Sequence, residues 1–142
     1  MRQFSGSCHC GAVRVTFESE HGAADLPVRA CGCSFCRSHG ARTMTDPNGR
    51  AVIEADPKAL MRYQFGLKTA DFLLCARCGV YLGAFFDDED AAYATLNVNT
   101  FDARAEFASA GAPTDYESEN ADGRMARRRR RWTPAILKET SQ

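Results

Sequence analysis

Cys31-Gly32-Cys33-Ser34-Phe35-Cys36 places three thiols within six residues, and the rest of the chain is read outward from this stretch. Three thiolates can close on one metal ion. A tetrahedral zinc held by only three protein ligands keeps one position for water or substrate, whereas a four-ligand zinc is structural. The remaining four of the seven cysteines fall in two further clusters, Cys8-His9-Cys10 and Cys75-Ala76-Arg77-Cys78. The natural partition is four plus three: a closed site of Cys8, Cys10, Cys75 and Cys78, and an open site of Cys31, Cys33 and Cys36. A second partition groups Cys8, Cys10, Cys31 and Cys33 and leaves Cys36, Cys75 and Cys78. It ranks lower, because three ligands within six residues close their site at little cost in chain entropy.

The odd cysteine count argues against complete pairing as disulfides, and CxC and CxxC spacings suit metal ligands in a reducing compartment. The start, Met1-Arg2-Gln3-Phe4-Ser5, lacks the apolar core of a signal peptide, and apolar runs such as Val80 to Phe86 are too short to span a bilayer. The expectation is a cytoplasmic protein. With 142 residues, 44% hydrophobic and 25% charged, residues 1–142 are expected to form one domain with a real core.

Local patterns predict a mainly β fold. Val13, Val15 and Phe17 alternate with Arg14, Thr16 and Glu18, the period of a half-buried strand. Gly11 follows the first cysteine pair and Gly79 the last, as a turn wrapping backbone amides around sulfur requires. Further strands are expected over residues 51–54, 60–66 and 71–74. A hairpin is expected from 80–86 and 92–101 across Asp87-Asp88-Glu89-Asp90, with loop over 19–26 and 108–118. A helix is expected over 120–131, with Asn120 or Asp122 at its start and arginines toward its end, where cations favour the helix dipole.

The chemistry of three thiolates narrows the open site. Such a zinc carries a net charge of −1 and activates water poorly, whereas hydrolytic zinc sites rest on His and carboxylate ligands. An electron-rich zinc instead binds an incoming thiol and lowers its pKa, which favours sulfur chemistry on a carbonyl-like electrophile. Arg37 is placed to offset charge or hold a substrate carboxylate, and His39 is a rival fourth ligand that would close the site. Phe85, Phe86, Tyr93 and Phe101 read as core or as walls of the open site.

Zero net charge hides an asymmetry: 12 basic and 17 acidic residues over 1–126, against six basic and one acidic over 127–142. The run Arg127 to Arg131 reads as a helix end packed by Trp132 and paired with the acidic surface, and activity is expected to be independent of it. No aromatic platform beside it supports nucleic-acid binding.

Ser7-Cys8-His9-Cys10-Gly11-Ala12-Val13, Cys31-Gly32-Cys33-Ser34-Phe35-Cys36-Arg37 and Phe72-Leu73-Leu74-Cys75-Ala76-Arg77-Cys78-Gly79 together resemble the glutathione-dependent formaldehyde-activating enzyme family, which includes the centromere protein V domain. The resemblance covers Ser7 to Gly79 and extends weakly to Phe101, and Gly32 stands where His is frequent. It implies a tent-like β-sheet domain with two zincs. Its structural ligands match Cys8, Cys10, Cys75 and Cys78, and its catalytic ligands match Cys31, Cys33 and Cys36. It also implies a carbon–sulfur lyase that joins glutathione to formaldehyde as S-hydroxymethylglutathione, with a thiol and a small electrophile as partners. The competing function class is a zinc-stabilised β module that binds a macromolecule and performs no chemistry.

Overall fold

A computed structural model of the chain describes residues 1–108, 112–116 and 118–140. The first hairpin is built on the alternation read from the sequence. Strands β1 (Arg2–Ser7) and β2 (Val13–Ser19) pair antiparallel, and Val13, Val15 and Phe17 are fully buried while Arg14 faces solvent. After β3 (Val28–Cys31), helix α1 (Ser34–His39) and β4 (Thr43–Met44) comes β5 (Arg50–Ala55), which pairs with β2. Its register sets Arg14 opposite Glu54 and Glu18 opposite Arg50, giving ion pairs of 3.4 and 3.0 Å. These exposed pairs fix register more than they stabilise, since each contributes about 0–1 kcal/mol.

Strands β6 (Leu60–Tyr63), β7 (Asp71–Cys75), β8 (Tyr81–Asp88) and β9 (Ala91–Asn97) follow as an antiparallel meander. The β8–β9 hairpin turns at the expected acidic tip, but β9 ends at Asn97 rather than continuing to Phe101. The Asn97 side chain donates to the Tyr81 carbonyl at 2.9 Å and accepts from the Asn99 N–H at 3.2 Å, which starts a short 3-10 turn instead.

Of the 108–118 segment expected as loop, Ala112–Thr114 forms β10, parallel to β3, while 109–111 and 117 lie outside the described residues. Helix α2 (Ala121–Arg131) matches the expected helix, and the Asn120 side chain caps it by accepting from the Gly123 N–H at 2.7 Å.

The chain does not stop at that helix. Strand β11 (Thr133–Glu139) returns through the middle of the sheet, and its local pattern gave no warning of this. Residues 133–134 pair antiparallel with β9, and 135–139 pair parallel with β5. β11 therefore joins the β1-β2-β5 wing to the β9-β4-β3-β10 wing, with β8, β7 and β6 continuing from the other edge of β9. The main core fills this junction with Phe17, Met44, Ile53, Leu82, Leu96 and Phe101, all at most 1% exposed. Phe85 and Phe86 are buried and Phe101 joins the main core, so none of these walls the open site.

Gly83 in β8 sits against β9, where an added Cβ would collide with the Thr95 carbonyl. Gly83→Ala is expected to lower stability by about 1–3 kcal/mol, the usual cost of overpacking. A urea melt checks this; an unchanged midpoint would show that β8 and β9 can part without cost.

Candidate thiol-cluster active site

Two turns of matching construction meet at the first cysteine group. In the β1–β2 turn, the Cys8 N–H donates to the Val13 carbonyl at 3.0 Å, and the Val13 N–H donates to the Cys8 sulfur at 3.3 Å. In the β7–β8 turn, the Cys75 N–H donates to the Val80 carbonyl at 3.0 Å, and the N–H groups of Arg77 and Cys78 donate to the Cys75 sulfur at 3.3 and 3.4 Å. Gly11 and Gly79 each close a turn at positive φ, +83° and +80°. The ligand sulfurs of Cys8, Cys10, Cys75 and Cys78 lie within 4.8 Å of one another. Cys8–Cys10 and Cys10–Cys75 separations are 3.7 and 3.6 Å. Tetrahedral zinc with bonds of about 2.3 Å requires sulfurs about 3.8 Å apart, so the group fits the ion. It also supports the four-plus-three partition over the alternative. Burial pushes the Cys8 thiol up to about 11 in the metal-free state, against the Val13 N–H.

The second group is assembled by a strand, a cap and a helix. β3 ends on Cys31. Cys33 caps α1, its sulfur accepting from the Cys36 N–H at 3.4 Å, and Cys36 is buried one turn in. Gly40 ends the helix in the left-handed region, at φ +58°. The helix was not expected from the sequence, because six residues carry too little periodicity to show. Cys31, Cys33 and Cys36 bring three sulfurs within 4.8 Å of one another. A hydrogen bond with the Cys36 thiol, against the cost of burial, pulls Cys31 down to about 5. The same bond and burial push Cys36 far up. Three sulfurs crowded this closely are a donor set that a soft-ligand cation completes, so this group also fits zinc.

His39 does not join the cluster. Its ring packs on Phe35 with centroids 4.5 Å apart and is exposed to solvent. Among the described residues the cluster therefore contains three thiols and no fourth metal-binding side chain. Phe35 also contacts Phe65, Phe72 and Tyr81, at centroid distances of 5.4, 4.9 and 4.9 Å. The aromatic wall thus comes from β7, β8, α1 and the segment after β6. Tyr81 is fully buried, and burial, then the neighbouring Cys36, raises its phenol well above the ordinary value. The phenol keeps its proton at neutral pH.

Two cavities open beside the sulfurs. An outer one of about 90 Å³ is lined by Cys31 and Cys33 together with Phe65, Phe72, Arg124 and Arg127. An inner one of about 70 Å³ has Cys31 and Cys36 in its wall. Arg127 and Arg128 line both, so the basic run is not remote from the thiols as its position in the chain suggested. Arg37 is exposed and lines neither. The run is divided by the helix period. Arg127 forms a two-bond pair with Glu119 at 2.8 and 3.1 Å and lies over the Tyr116 ring, 3.6 Å from its centroid. Arg129 pairs with Asp88 of the acidic hairpin tip at 2.6 Å, as expected of the acidic surface. Arg128 turns inward against Trp132, 4.6 Å from the ring centroid. Burial, then Arg127 and Arg124, hold it down to about 10. An i, i+3, i+4 reading of 124, 127 and 128 as one face of α2 would have exposed this wall; nothing in the sequence says which way that face points.

The family model described as glutathione-dependent formaldehyde-activating enzyme matches residues 3–118. The chain belongs to the glutathione-dependent formaldehyde-activating enzyme family. A crystal structure of a Rhodobacter sphaeroides protein, solved by structural genomics, is similar to it at 33% identity and a TM-score of 0.55. The match covers 78% of this chain and 99% of that one. Both cysteine groups lie inside the span matched by the formaldehyde-activating family. Helix α2, with the arginines that wall the cavities, lies beyond it. No helix among the described residues is long and apolar enough to cross a membrane.

Proposed function

We propose that the chain is a carbon–sulfur lyase working in the condensation direction, adding a thiol such as glutathione to a small aldehyde such as formaldehyde. The supporting observation is the trio Cys31, Cys33 and Cys36: three thiols, no fourth protein donor among the described residues, shared between the walls of two adjoining cavities. On this reading Cys8, Cys10, Cys75 and Cys78 hold a structural zinc, the trio holds a catalytic one, and a single domain carries both. Zinc on three thiolates supplies one vacant position at which a fourth sulfur is kept ionised.

The reaction itself needs no oxidant. The thiol sulfur bonds to the carbonyl carbon, the C=O π pair moves to oxygen, and the thiol's proton ends on that oxygen. Phe65 and Phe72 give the outer cavity an apolar side that limits water around the reacting carbon, and Arg124 and Arg127 line the same cavity as Cys31 and Cys33. Tyr81, uncharged and buried beneath Phe35, supports the helix that carries Cys33 and Cys36 without adding negative charge.

The test is elemental analysis joined to exchange NMR of glutathione with formaldehyde. Two zincs per chain, and adduct formation at least tenfold faster than without protein, are expected. One zinc per chain, or no acceleration with two, would sink the reading.

A further inference from the structure

The inner cavity is unlike an aldehyde pocket. Arg29, Arg127 and Arg128 line it together with the threonines Thr43, Thr95 and Thr114, and no carboxylate side chain among the described residues does. Two buried polar atoms of its lining residues, Arg128 Nε and Thr114 Oγ1, have no hydrogen-bond partner among the described residues. Arg128 is 6% exposed, and its visible partners are the Thr69 hydroxyl, which accepts from Nη1 at 2.7 Å, and the face of Trp132. A buried guanidinium with donors unused is costly, by several kcal/mol for an uncompensated ion, so a fold retains one where an anion completes it. Guanidinium forks match carboxylates in geometry. Formaldehyde has nothing to place here.

The sulfur cluster opposite carries negative charge of its own and offsets some of the arginine charge. It lacks the paired oxygens that would satisfy the free Nε donor. Glu119, just before α2, is already engaged: it pairs with Arg127 and lies 3.5 Å from Arg124. A volume of about 70 Å³ admits a carboxylate and a carbon or two, since a water occupies about 30 Å³ of liquid.

We propose that the inner cavity is a carboxylate site, in which Arg128, supported by Arg29 and Thr114, receives the carboxylate of a substrate whose reacting atom lies against Cys31 and Cys36. This rests on the reading of the trio as a thiol-and-aldehyde centre. The carboxylate arrives on the electrophile, as in a 2-oxo acid, or on the thiol.

Trp132 is the protein's single tryptophan and touches Arg128, so its emission reports on the site. The zinc-loaded full chain is titrated, with no reaction running, with glyoxylate and with S-methylglutathione. Acetaldehyde and S-methylglutathione dimethyl ester serve as their uncharged counterparts. At least one carboxylate is expected to saturate, at least tenfold tighter than its counterpart, and to weaken at least tenfold in Arg128→Gln. Tight binding of glyoxylate assigns the carboxylate to the electrophile, and tight binding of S-methylglutathione assigns it to the thiol; either sustains the proposal. Equal binding of charged and uncharged partners, or no saturation with either carboxylate, overturns it. Should Arg128→Gln fail to fold, the wild-type comparison still decides, and Thr114→Val, which keeps Arg128, is expected to weaken the carboxylate about threefold. Because the titration involves no turnover, a positive result survives even if the lyase reading fails, and a negative one leaves that reading standing.

Discussion

Cys75→Ser is expected to leave the protein without a cooperative thermal transition, while Cys33→Ser melts within a few degrees of the wild type. Cys75 sits at the end of β7, and its sulfur lies 3.6 Å from that of Cys10, 65 residues earlier. A metal at this group ties the β1–β2 turn to the β7–β8 turn, two places the sheet does not join directly. Structural zinc at thiolate sites contributes about 10–16 kcal/mol that is also folding free energy. A domain's entire stability is about 5–15 kcal/mol, so losing this site exceeds what the core can hold.

Cys33 is different. Its group lies within one β3–α1 segment, and its structural task is to cap α1 by accepting the Cys36 N–H. Serine is among the best residues for that position, so the exchange preserves the cap. Circular-dichroism melts with zinc content measured on the same samples are the check. Equal destabilisation of the two variants would refute the division of labour.

What the sequence disclosed and what it withheld divide along a physical line. The alternation in β2, the glycines after the two cysteine pairs and the cap at Asn120 are written locally, and each appears where expected. Partner choice is not local. β11 carries Pro134 and follows five arginines, and only its place between β5 and β9 makes it a strand. α1 is too short for a period to form, so its cysteines were legible as ligands but not as cap and first turn.

The same distinction governs the site. Spacing grouped the cysteines four and three, as they cluster in the fold, because such groups are built largely from neighbours in the chain. The cavity wall was missed, because Phe65, Phe72, Arg127 and Arg128 converge on the sulfurs from segments far apart in sequence. Arginines at 124, 127 and 128 look solvated in sequence, and only their burial shows that α2 presents that face inward.

Glutathione is expected to change the visible spectrum of the cobalt-substituted protein, with an affinity that rises with pH and then levels off. Three thiolates leave the ion one position, and a thiol that takes it must lose a proton. Below the thiol's own pKa each pH unit therefore tightens binding by up to about tenfold, and above it the free thiol is already ionised and the gain stops. The sign follows from proton release alone. Cobalt reports the event because its visible bands differ between oxygen and sulfur as fourth ligand. Cys33→Ser, folded by the argument above, should abolish the change by removing one of the three sulfurs. His39→Ala should leave the titration as it is in the wild type, because the His39 ring packs tilted against Phe35 and does not join the thiol group. If only His39→Ala bound the thiol, His39 would be the fourth ligand in solution and the site closed. A wild-type spectrum unmoved at every pH, or a change that persists in Cys33→Ser, would likewise end the case for an open three-thiol centre.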